Sequence, residues 1–545
     1  MTSDERAASA SATSSRPLGD LVSRLAAEGR LRGTRLDGRA VGSAALSDIA
    51  VTGVTNDSRS AAAASLFVAI AGEHADGHDH AAAAVRAGAT ALIVERPLAE
   101  VAAAQLVVDA SRPALATAAA WWYGDPSHEL TVVGITGTDG KTTTAYLSVA
   151  ALEAAGRRAG MIGTIATRVG GRTEAHEAHA TTPEATELQA ILRAMVDAGD
   201  DVAVIETTSH GLALDRVASV AYDVAILTNL THEHLELHGT WEAYRDAKLS
   251  LFDRLRATRN VTKPRPVPAA AIVNLDDPSA GVFVGTARGA GARVLTYGTE
   301  GAADIRATHI TEDAAGLRAE IEGPAGAATL ALRLAGRFNV HNALAVVALG
   351  EVLGLDPAAV RAGLASVDGV PGRMERIEVG QPFGVIVDFA HTPASLGTVL
   401  DLLAPTAAAR GGGLIVVFGS AGERDIAKRP QMGRIAGERA RLVVVTDEDP
   451  RGEDREAILD QIARGAEAAG KRRGQDLQLI ADRRAAMAAA FEAARSGDIV
   501  LLAGKGHERS IIGRDGERPW DERATALELL AELGYHGEPG TTARP

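Results

Sequence analysis

The sequence predicts an α/β protein of three domains, with mainly parallel sheets covered by helices. Short Val/Ile-rich runs alternate with Ala/Leu-rich helical patterns along most of the chain, the rhythm of strand–helix–strand units. Aromatic residues are only 3% of the chain although hydrophobic residues are 46%. The cores must therefore be filled by Ala, Val, Leu and Ile, which suits helices on parallel sheets better than an aromatic-rich sandwich. The length of 545 residues allows about three or four domains at roughly 150 residues each.

The elements follow in chain order. Residues 1–16 are rich in Ser, Ala and Thr and lack an apolar core, so a disordered tail is predicted there rather than a signal peptide. A second disordered tail is predicted over residues 537–545. Between them the strand-like runs are ALIVE (91–95), LTVVGIT (130–136), DVAVIET (201–207), YDVAILTNL (222–230), AAIVNLDD (270–277), FGVIVDFAH (383–391), GLIVVFGS (413–420), RLVVVTDED (441–449) and DIVLLAGKG (498–506). Several end directly in polar or glycine-rich residues, and the carboxyl ends of strands are where open α/β sheets bind ligands. Breaks at YGDPSHE (123–129) and VDGVPGRMER (367–376) divide the chain into domains of residues 17–128, 129–369 and 370–536. No internal repeat is visible.

The balance of 56 basic and 70 acidic residues gives a formal charge of −14, which argues against a general nucleic-acid binder while leaving room for a local cationic pocket. The chain has no cysteine, so disulfides, thiolate metal sites and a cysteine nucleophile are excluded. No apolar run reaches about 18 residues, so no membrane insertion is expected. The expectation is a soluble, cytoplasmic monomer.

The strongest local signal is VVGITGTDGKTTTAYLSVAAL, Val132–Leu152. A strand pattern runs into a glycine-rich turn, then Lys141-Thr142, then a helix pattern. Such a loop aims backbone N–H groups and a helix N-terminus at an anion. Lys141 would meet the β- and γ-phosphates and the Thr142 hydroxyl would reach Mg²⁺. The usual Gly-x4-Gly-Lys-Ser/Thr spacing is not kept, because Ile135 stands where the first glycine belongs. An ordinary glycine-rich turn is the plainer alternative.

The stretch GTDGKT (137–142) resembles the Gly-Thr-x-Gly-Lys-Thr loop of the Mur ligases, ATP-dependent enzymes that extend the peptide of a UDP-sugar cell-wall precursor. Further motifs follow in that family's order: ETTSHGL (206–212), TNLTHEHLELHG (228–239), YRDAKLSLF (244–252), NLDDP (274–278), GRFNVHNALA (336–345), GRMER (372–376), VDFAHTP (387–393), VFGSAGERDIAKRPQMG (417–433), TDEDPRGED (446–454) and GKGHE (504–508). Together they cover roughly residues 54–525. TNDSRSAAAASLFVAIAG (55–72) and TTPEATELQ (181–189) bring the pattern nearest the family's tripeptide-synthetase branch, which adds a diamino acid to UDP-N-acetylmuramoyl-L-alanyl-D-glutamate. The resemblance implies a UDP-binding N-terminal domain, a central P-loop ATPase-like domain and a Rossmann-like C-terminal domain.

It also implies residue roles. ATP would lie on Gly137, Thr138, Asp139, Gly140, Lys141, Thr142 and Thr143, with Asn339, Asn342, Arg373 and Asp388 completing the nucleotide site. Thr142 and Glu206 would hold one Mg²⁺; His234 and Lys248, the latter carbamylated by CO₂, would hold a second. An imidazole is an unusual magnesium ligand, so His234 rests on the resemblance. Where the family has Arg and Asp before that histidine, this chain has His232 and Glu233. Taken alone, Lys248 could simply snorkel to water, Asn339 could cap a helix and Asp388 could be structural. The catalytic set is Lys141, Glu206, His234 and Lys248.

The UDP-sugar peptide would meet Ser58, Thr181, Thr182, Thr208 and Arg216. The incoming amino acid would meet Arg424, Glu448, Asp449, Arg451, Gly504 and Glu508. Family members that add meso-diaminopimelate carry Asp-Asn-Pro-Arg where this chain has Glu448-Asp449-Pro450-Arg451. The retained Arg451 argues for a ligand with a second carboxylate. The extra acid at Asp449 would suit the cationic side chain of L-lysine or L-ornithine, or merely shape the turn. The reading leans slightly to meso-diaminopimelate. Another ligase of this superfamily, such as a folylpolyglutamate synthase, and a nucleotide-sensing relative without chemistry are the alternatives.

Overall fold

Strands buried on both faces need unbroken runs of small branched residues rather than an apolar–polar alternation. Each of the Val/Ile-rich runs accordingly contains a strand: Ala91–Val94, Thr131–Thr136, Val202–Glu206, Val224–Leu227, Ala270–Asn274, Gly384–Asp388, Leu414–Phe418, Leu442–Val445 and Ile499–Ala503. The structure, a computed structural model, describes residues 15–72, 75–175, 180–231, 238–313 and 316–537.

These strands fall into three main sheets. The N-terminal sheet has six strands, of which Ala104–Val108, Ala91–Val94, Leu66–Val68 and Val54–Thr55 are parallel neighbours. The central sheet has eleven. Its parallel part runs Ala159–Ile162, Val202–Glu206, Thr131–Thr136, Val224–Leu227, Ala270–Asn274, Arg293–Gly298 and Ile305–Asp313, with antiparallel strands at both edges. The six-stranded C-terminal sheet is parallel from Gly384–Asp388 through Ile499–Ala503, Leu414–Phe418 and Leu442–Val445 to Leu477–Leu479, with Glu375–Ile377 antiparallel on one edge. The architecture is therefore the predicted mixed α/β one.

Two apolar layers sandwich the central sheet. Val133, Ile135, Leu147 and Leu344 pack on one face, under helices Lys141–Ala154 and Phe338–Leu353. Ile205, Leu227, Leu192 and Phe252 fill the other, under Ala185–Asp197 and Trp241–Thr258. The strand Thr131–Thr136 lies between Val202–Glu206 and Val224–Leu227. The chain first crosses to one side of it and later to the other, so a crevice opens at its carboxyl end.

Both predicted tails need trimming. Arg16 pairs with Val51 in a two-stranded ladder, and Gly537 donates its N–H to the Val379 carbonyl. Pairings of only one or two rungs leave no periodic pattern to read. Among the described residues no helix is long and apolar enough to cross a membrane.

Candidate active site

The loop after Thr136 turns on two glycines with positive φ, Gly137 and Gly140. A Cβ at Gly137 would collide with the Thr228 hydroxyl, and one at Gly140 with the Asn342 side chain. Glycine is thus required here for close approach as well as for backbone geometry. The loop is pinned from the neighbouring strand end. Thr138 N–H donates to the Asn229 carbonyl at 2.8 Å and Asp139 N–H to Asn229 Oδ1 at 2.9 Å. The Thr228 hydroxyl donates to the Asp139 carbonyl at 2.6 Å, and the Thr138 hydroxyl shares a 2.9 Å hydrogen bond with Tyr244. Lys141 Nζ curls over its own loop and donates to the carbonyls of Gly137 (2.9 Å) and Thr138 (2.7 Å). Thr143 is buried in the first turn of the following helix.

Glu206 is the hub of the crevice. Strand register sets it opposite Ile135, level with the start of the loop. Its Oε2 accepts from the hydroxyls of Thr142 (2.9 Å) and Thr164 (2.8 Å), and its Oε1 from Thr164 N–H at 3.0 Å. Thr164 bonds onward to Thr181 at 3.1 Å. Burial and the nearby Glu206 charge push the Tyr146 phenol up to about 12.

Lys248 is 2% exposed and so does not snorkel to water. Its Nζ donates to the Gly137 carbonyl at 2.7 Å and lies 4.6 Å from the centre of the Tyr244 ring. His234, with His232 and Glu233, lies outside the described residues.

The remaining nucleotide-site candidates also converge, mostly as supports. Asn342 Oδ1 accepts from Thr144 at 3.3 Å, and its amide donates to Asn339 Oδ1 at 2.9 Å; Asn339 in turn bonds the Ala335 carbonyl at 2.7 Å. The pair fastens helix Phe338–Leu353 beneath Gly140. From the C-terminal domain, Arg373 lies over the Phe389 ring at 4.5 Å and reaches Thr142 Oγ1 at 3.5 Å. Both Asp388 oxygens accept backbone N–H groups, from Met374 (2.7 Å) and Ala390 (2.8 Å). Burial holds the Asp388 carboxyl above its usual range despite the facing Arg373. Asp388 thereby shapes the turn that carries Arg373.

Thr182 and Thr208 sit beside Glu206. The Thr182 hydroxyl donates to the Glu206 carbonyl at 2.9 Å and accepts from Thr208 N–H at 3.0 Å, while Thr208 caps helix Ser209–Ala213. Arg216 donates to the Thr182 carbonyl at 2.9 Å and pairs with Glu184 at 2.5 Å. Ser58 opens a short 3₁₀ turn of the N-terminal domain capped by Asp57, and no hydrogen bond joins it to this cluster.

The amino-acid candidates form a second group at the carboxyl ends of the C-terminal strands. Glu448 and Asp449 are both buried. Glu448 Oε2 is enclosed without a hydrogen-bond partner and faces Gly504. Asp449 Oδ1 accepts from Lys505 Nζ at 2.9 Å and from Ile512 N–H at 3.0 Å. Lys505 is 1% exposed and also pairs with Glu508 Oε2 at 2.6 Å. Burial alone would lower the Lys505 ammonium, but Glu508 and Asp449 outweigh it and hold it above its usual value. Arg451 adopts φ 53°, bonds the Ile512 carbonyl through its N–H, and keeps an enclosed Nε without a partner. Arg424 stands exposed on the loop after Leu414–Phe418.

The acid at position 449 has a cation within the same chain, Lys505. Sequence reasoning missed Lys505, Thr164, Thr228, Asn229 and Tyr244. All but Thr164 lie inside quoted motifs, and Thr164 follows a strand end, so position was the available signal.

The chain matches three family descriptions: "Mur ligase family, catalytic domain" over residues 50–123, "Mur ligase middle domain" over 135–350, and "Mur ligase, glutamate ligase domain" over 372–506. It is 48% identical over 491 residues to a UDP-N-acetylmuramyl-tripeptide synthetase of Roseiflexus sp. (strain RS-1), covering 89% of this chain and 96% of the relative. It is 40% identical over 500 residues to a UDP-N-acetylmuramoyl-L-alanyl-D-glutamate–2,6-diaminopimelate ligase of Geobacter metallireducens, covering 90% and 96%. Among solved structures, one of a UDP-N-acetylmuramoyl-L-alanyl-D-glutamate–2,6-diaminopimelate ligase is similar with a TM-score of 0.61 at 29% identity, covering 89% of this chain and 96% of the other.

Proposed function

This chain belongs to the Mur ligase family, and from that premise we propose that it is an ATP-dependent ligase of peptidoglycan precursor synthesis that joins a diamino acid to UDP-N-acetylmuramoyl-L-alanyl-D-glutamate. The observation that carries this reading is the Glu206 hub: a buried carboxylate bonded to Thr142 and level with a lysine-bearing phosphate loop.

A glutamate carboxylate oxygen attacks the γ-phosphorus of ATP, the bond to ADP breaks, and an acyl phosphate forms. The amine nitrogen of the diamino acid then attacks the acyl carbon, loses a proton, and inorganic phosphate leaves. Both steps crowd negative groups together, so fixed cations must offset them. Lys141, bonded to the Gly137 carbonyl, lies where the phosphates would be and would supply one such cation.

Thr142 Oγ1 and Glu206 Oε2, 2.9 Å apart, suit an oxygen-seeking Mg²⁺. Held there by Thr142 and Glu206, Mg²⁺ would neutralise phosphate charge. His234 and a carbamate on Lys248 would hold a second ion. In forming that carbamate, the Lys248 ammonium would first lose one proton, its Nζ would then bond the carbon of CO₂, and a second proton would leave, so that a cation becomes an anion.

Meso-diaminopimelate is the favoured amino acid. Asp449 is already matched by Lys505, so its charge no longer argues for lysine, while the Arg451 guanidinium remains for a second carboxylate. Residues 17–128 take the UDP end, 129–369 the ATP and 370–536 the amino acid. One chain supplies every side chain of this scheme, which fits a monomer, and ATP and a UDP-linked precursor as substrates fit a cytoplasmic location. Phosphate release with ATP and the UDP-dipeptide, measured with diaminopimelate, lysine and ornithine in parallel, tests it. Amino-acid-dependent release, fastest with diaminopimelate, is expected; none with any of the three would overturn the ligase reading.

A further inference from the structure

Three acidic residues, Glu448, Asp449 and Glu508, gather around one buried ammonium in the C-terminal domain. Lys505 contacts two of them directly, Asp449 at 2.9 Å and Glu508 at 2.6 Å. Arg483, a second buried cation beside these acids, is fully engaged. It bonds Glu522 at 2.8 and 2.6 Å and the carbonyls of Asp447 and Ala503. Arg483 therefore acts on Glu448 and Glu508 only through its field.

Asp449 is turned inward and knots three segments together. Its carboxylate takes Lys505 from the loop after Ile499–Ala503 and Ile512 N–H from the hairpin of Ser510–Gly513 and Gly516–Pro519. Its carbonyl takes Gly422 N–H from the loop that carries Arg424. By contrast, Glu448 Oε2 is enclosed with no hydrogen-bond donor. An unpaired buried carboxylate oxygen is costly, so it is the group prepared to receive an ammonium.

Resting on the ligase reading above, we propose that Asp449 acts on the incoming amino acid only through Lys505. The Asp449–Lys505 pair is a fixed internal counter-charge that holds Glu508 in place. It sets how strongly the pocket takes any diamino acid and not which one it takes. The choice belongs to Arg451, through the ligand's second carboxylate. Asp449 and Lys505 are thus positioning residues.

The test is a competition assay with saturating ATP and UDP-dipeptide and equimolar meso-diaminopimelate and L-lysine, with both tripeptide products counted by mass spectrometry. The product ratio does not depend on how much of a variant is folded. Asp449→Asn, which keeps the side-chain shape, should change the ratio by less than fivefold while raising KM for both amino acids about 3–10-fold and leaving KM for ATP unchanged. Lys505→Gln should raise KM for both more than tenfold, and adding Asp449→Asn should recover part of that loss, because the double variant leaves only Glu508, rather than Asp449 and Glu508 together, without its internal cation. Arg451→Met, as control, should cut the diaminopimelate share at least tenfold. A ratio change of fivefold or more on Asp449→Asn, or no recovery in the double variant, would overturn the proposal. Failure of the unaltered protein to make either product would instead sink the ligase reading.

Discussion

The phosphate-loop crevice and the amino-acid pocket handle charge in opposite ways. In the crevice, Glu206 is surrounded by uncharged donors, the hydroxyls of Thr142 and Thr164 and the Thr164 N–H. Lys141 is held by carbonyls of its own loop, and Lys248 shares one of them. At Lys141, carbonyl partners leave the ammonium's charge largely intact, ready for an incoming polyphosphate. In the C-terminal pocket the charges are matched inside the protein: Lys505 with Asp449 and Glu508, Arg429 with Glu453, and Arg483 with Glu522. The first site spends its charge on the ligand. The second uses most of its charge to fix its own shape and leaves only a few groups, Glu448 and Arg451 among them, to read the ligand.

If that contrast holds, substitutions in the crevice should hit turnover and those in the pocket's internal pairs should hit stability. The largest effect is expected for Glu206→Gln, a loss of about 10³-fold in kcat with little change in thermal stability, since the amide keeps an acceptor oxygen but loses the charge that a cation needs. Lys248→Ala should follow with about 10²–10³-fold. The unaltered protein, but not the variant, should slow when CO₂ and bicarbonate are stripped from the buffer; equal rates for both would break the carbamate scheme. Gly137→Ala should come next, weakening ATP binding at least tenfold in a titration, because its Cβ meets the Thr228 hydroxyl. On the other side of the comparison, Arg483→Met leaves Glu522 buried without a counter-ion, its remaining donor being Trp520 Nε1–H at 2.7 Å. It should cost the C-terminal domain about 3 kcal/mol in urea unfolding. Unchanged stability there would show that the internal pairs are not what holds the pocket.

The crevice was the more legible region, for a physical reason. Its residues 137–142 are contiguous, and each has one dominant option: glycine for a positive φ, lysine for phosphate, threonine for a cation. The strands were equally legible, because buried parallel strands announce themselves as β-branched runs. The pocket was legible as a set of residues and not as a set of charges. Asp449 and Lys505 are 56 positions apart in sequence, and a carboxylate's meaning depends on whether its counter-ion is in the protein or in the ligand. The same limit explains Asp388 and Asn342. Their side chains bond to backbone N–H groups and to neighbouring side chains, information that only the folded register of distant segments supplies.

The smallest expected effect sharpens the contrast by titration. His507, in the GKGHE loop beside Lys505, has an enclosed Nδ1 without a hydrogen-bond partner and lies 5.0 Å from the Phe389 ring. Burial first, then the charges of Arg373, Lys505 and Arg509, hold its pKa well below 6.5. Near neutral pH the imidazole is uncharged both folded and unfolded, so it contributes no pH dependence. Below 6.5 the unfolded chain takes up a proton that the folded protein refuses, and stability falls as the pH falls. At pH 5.5 the loss from this one group reaches at most about 1.4 kcal/mol, one pH unit of proton-binding free energy. Urea unfolding of the unaltered protein and of His507→Asn at pH 7.5 and 5.5 measures it, the other histidines cancelling in the difference. The variant should lose less stability on acidification than the parent. Identical losses would mean that neither burial nor the neighbouring cations keep the His507 imidazole neutral, and that its surroundings accept a proton as readily as the unfolded chain does.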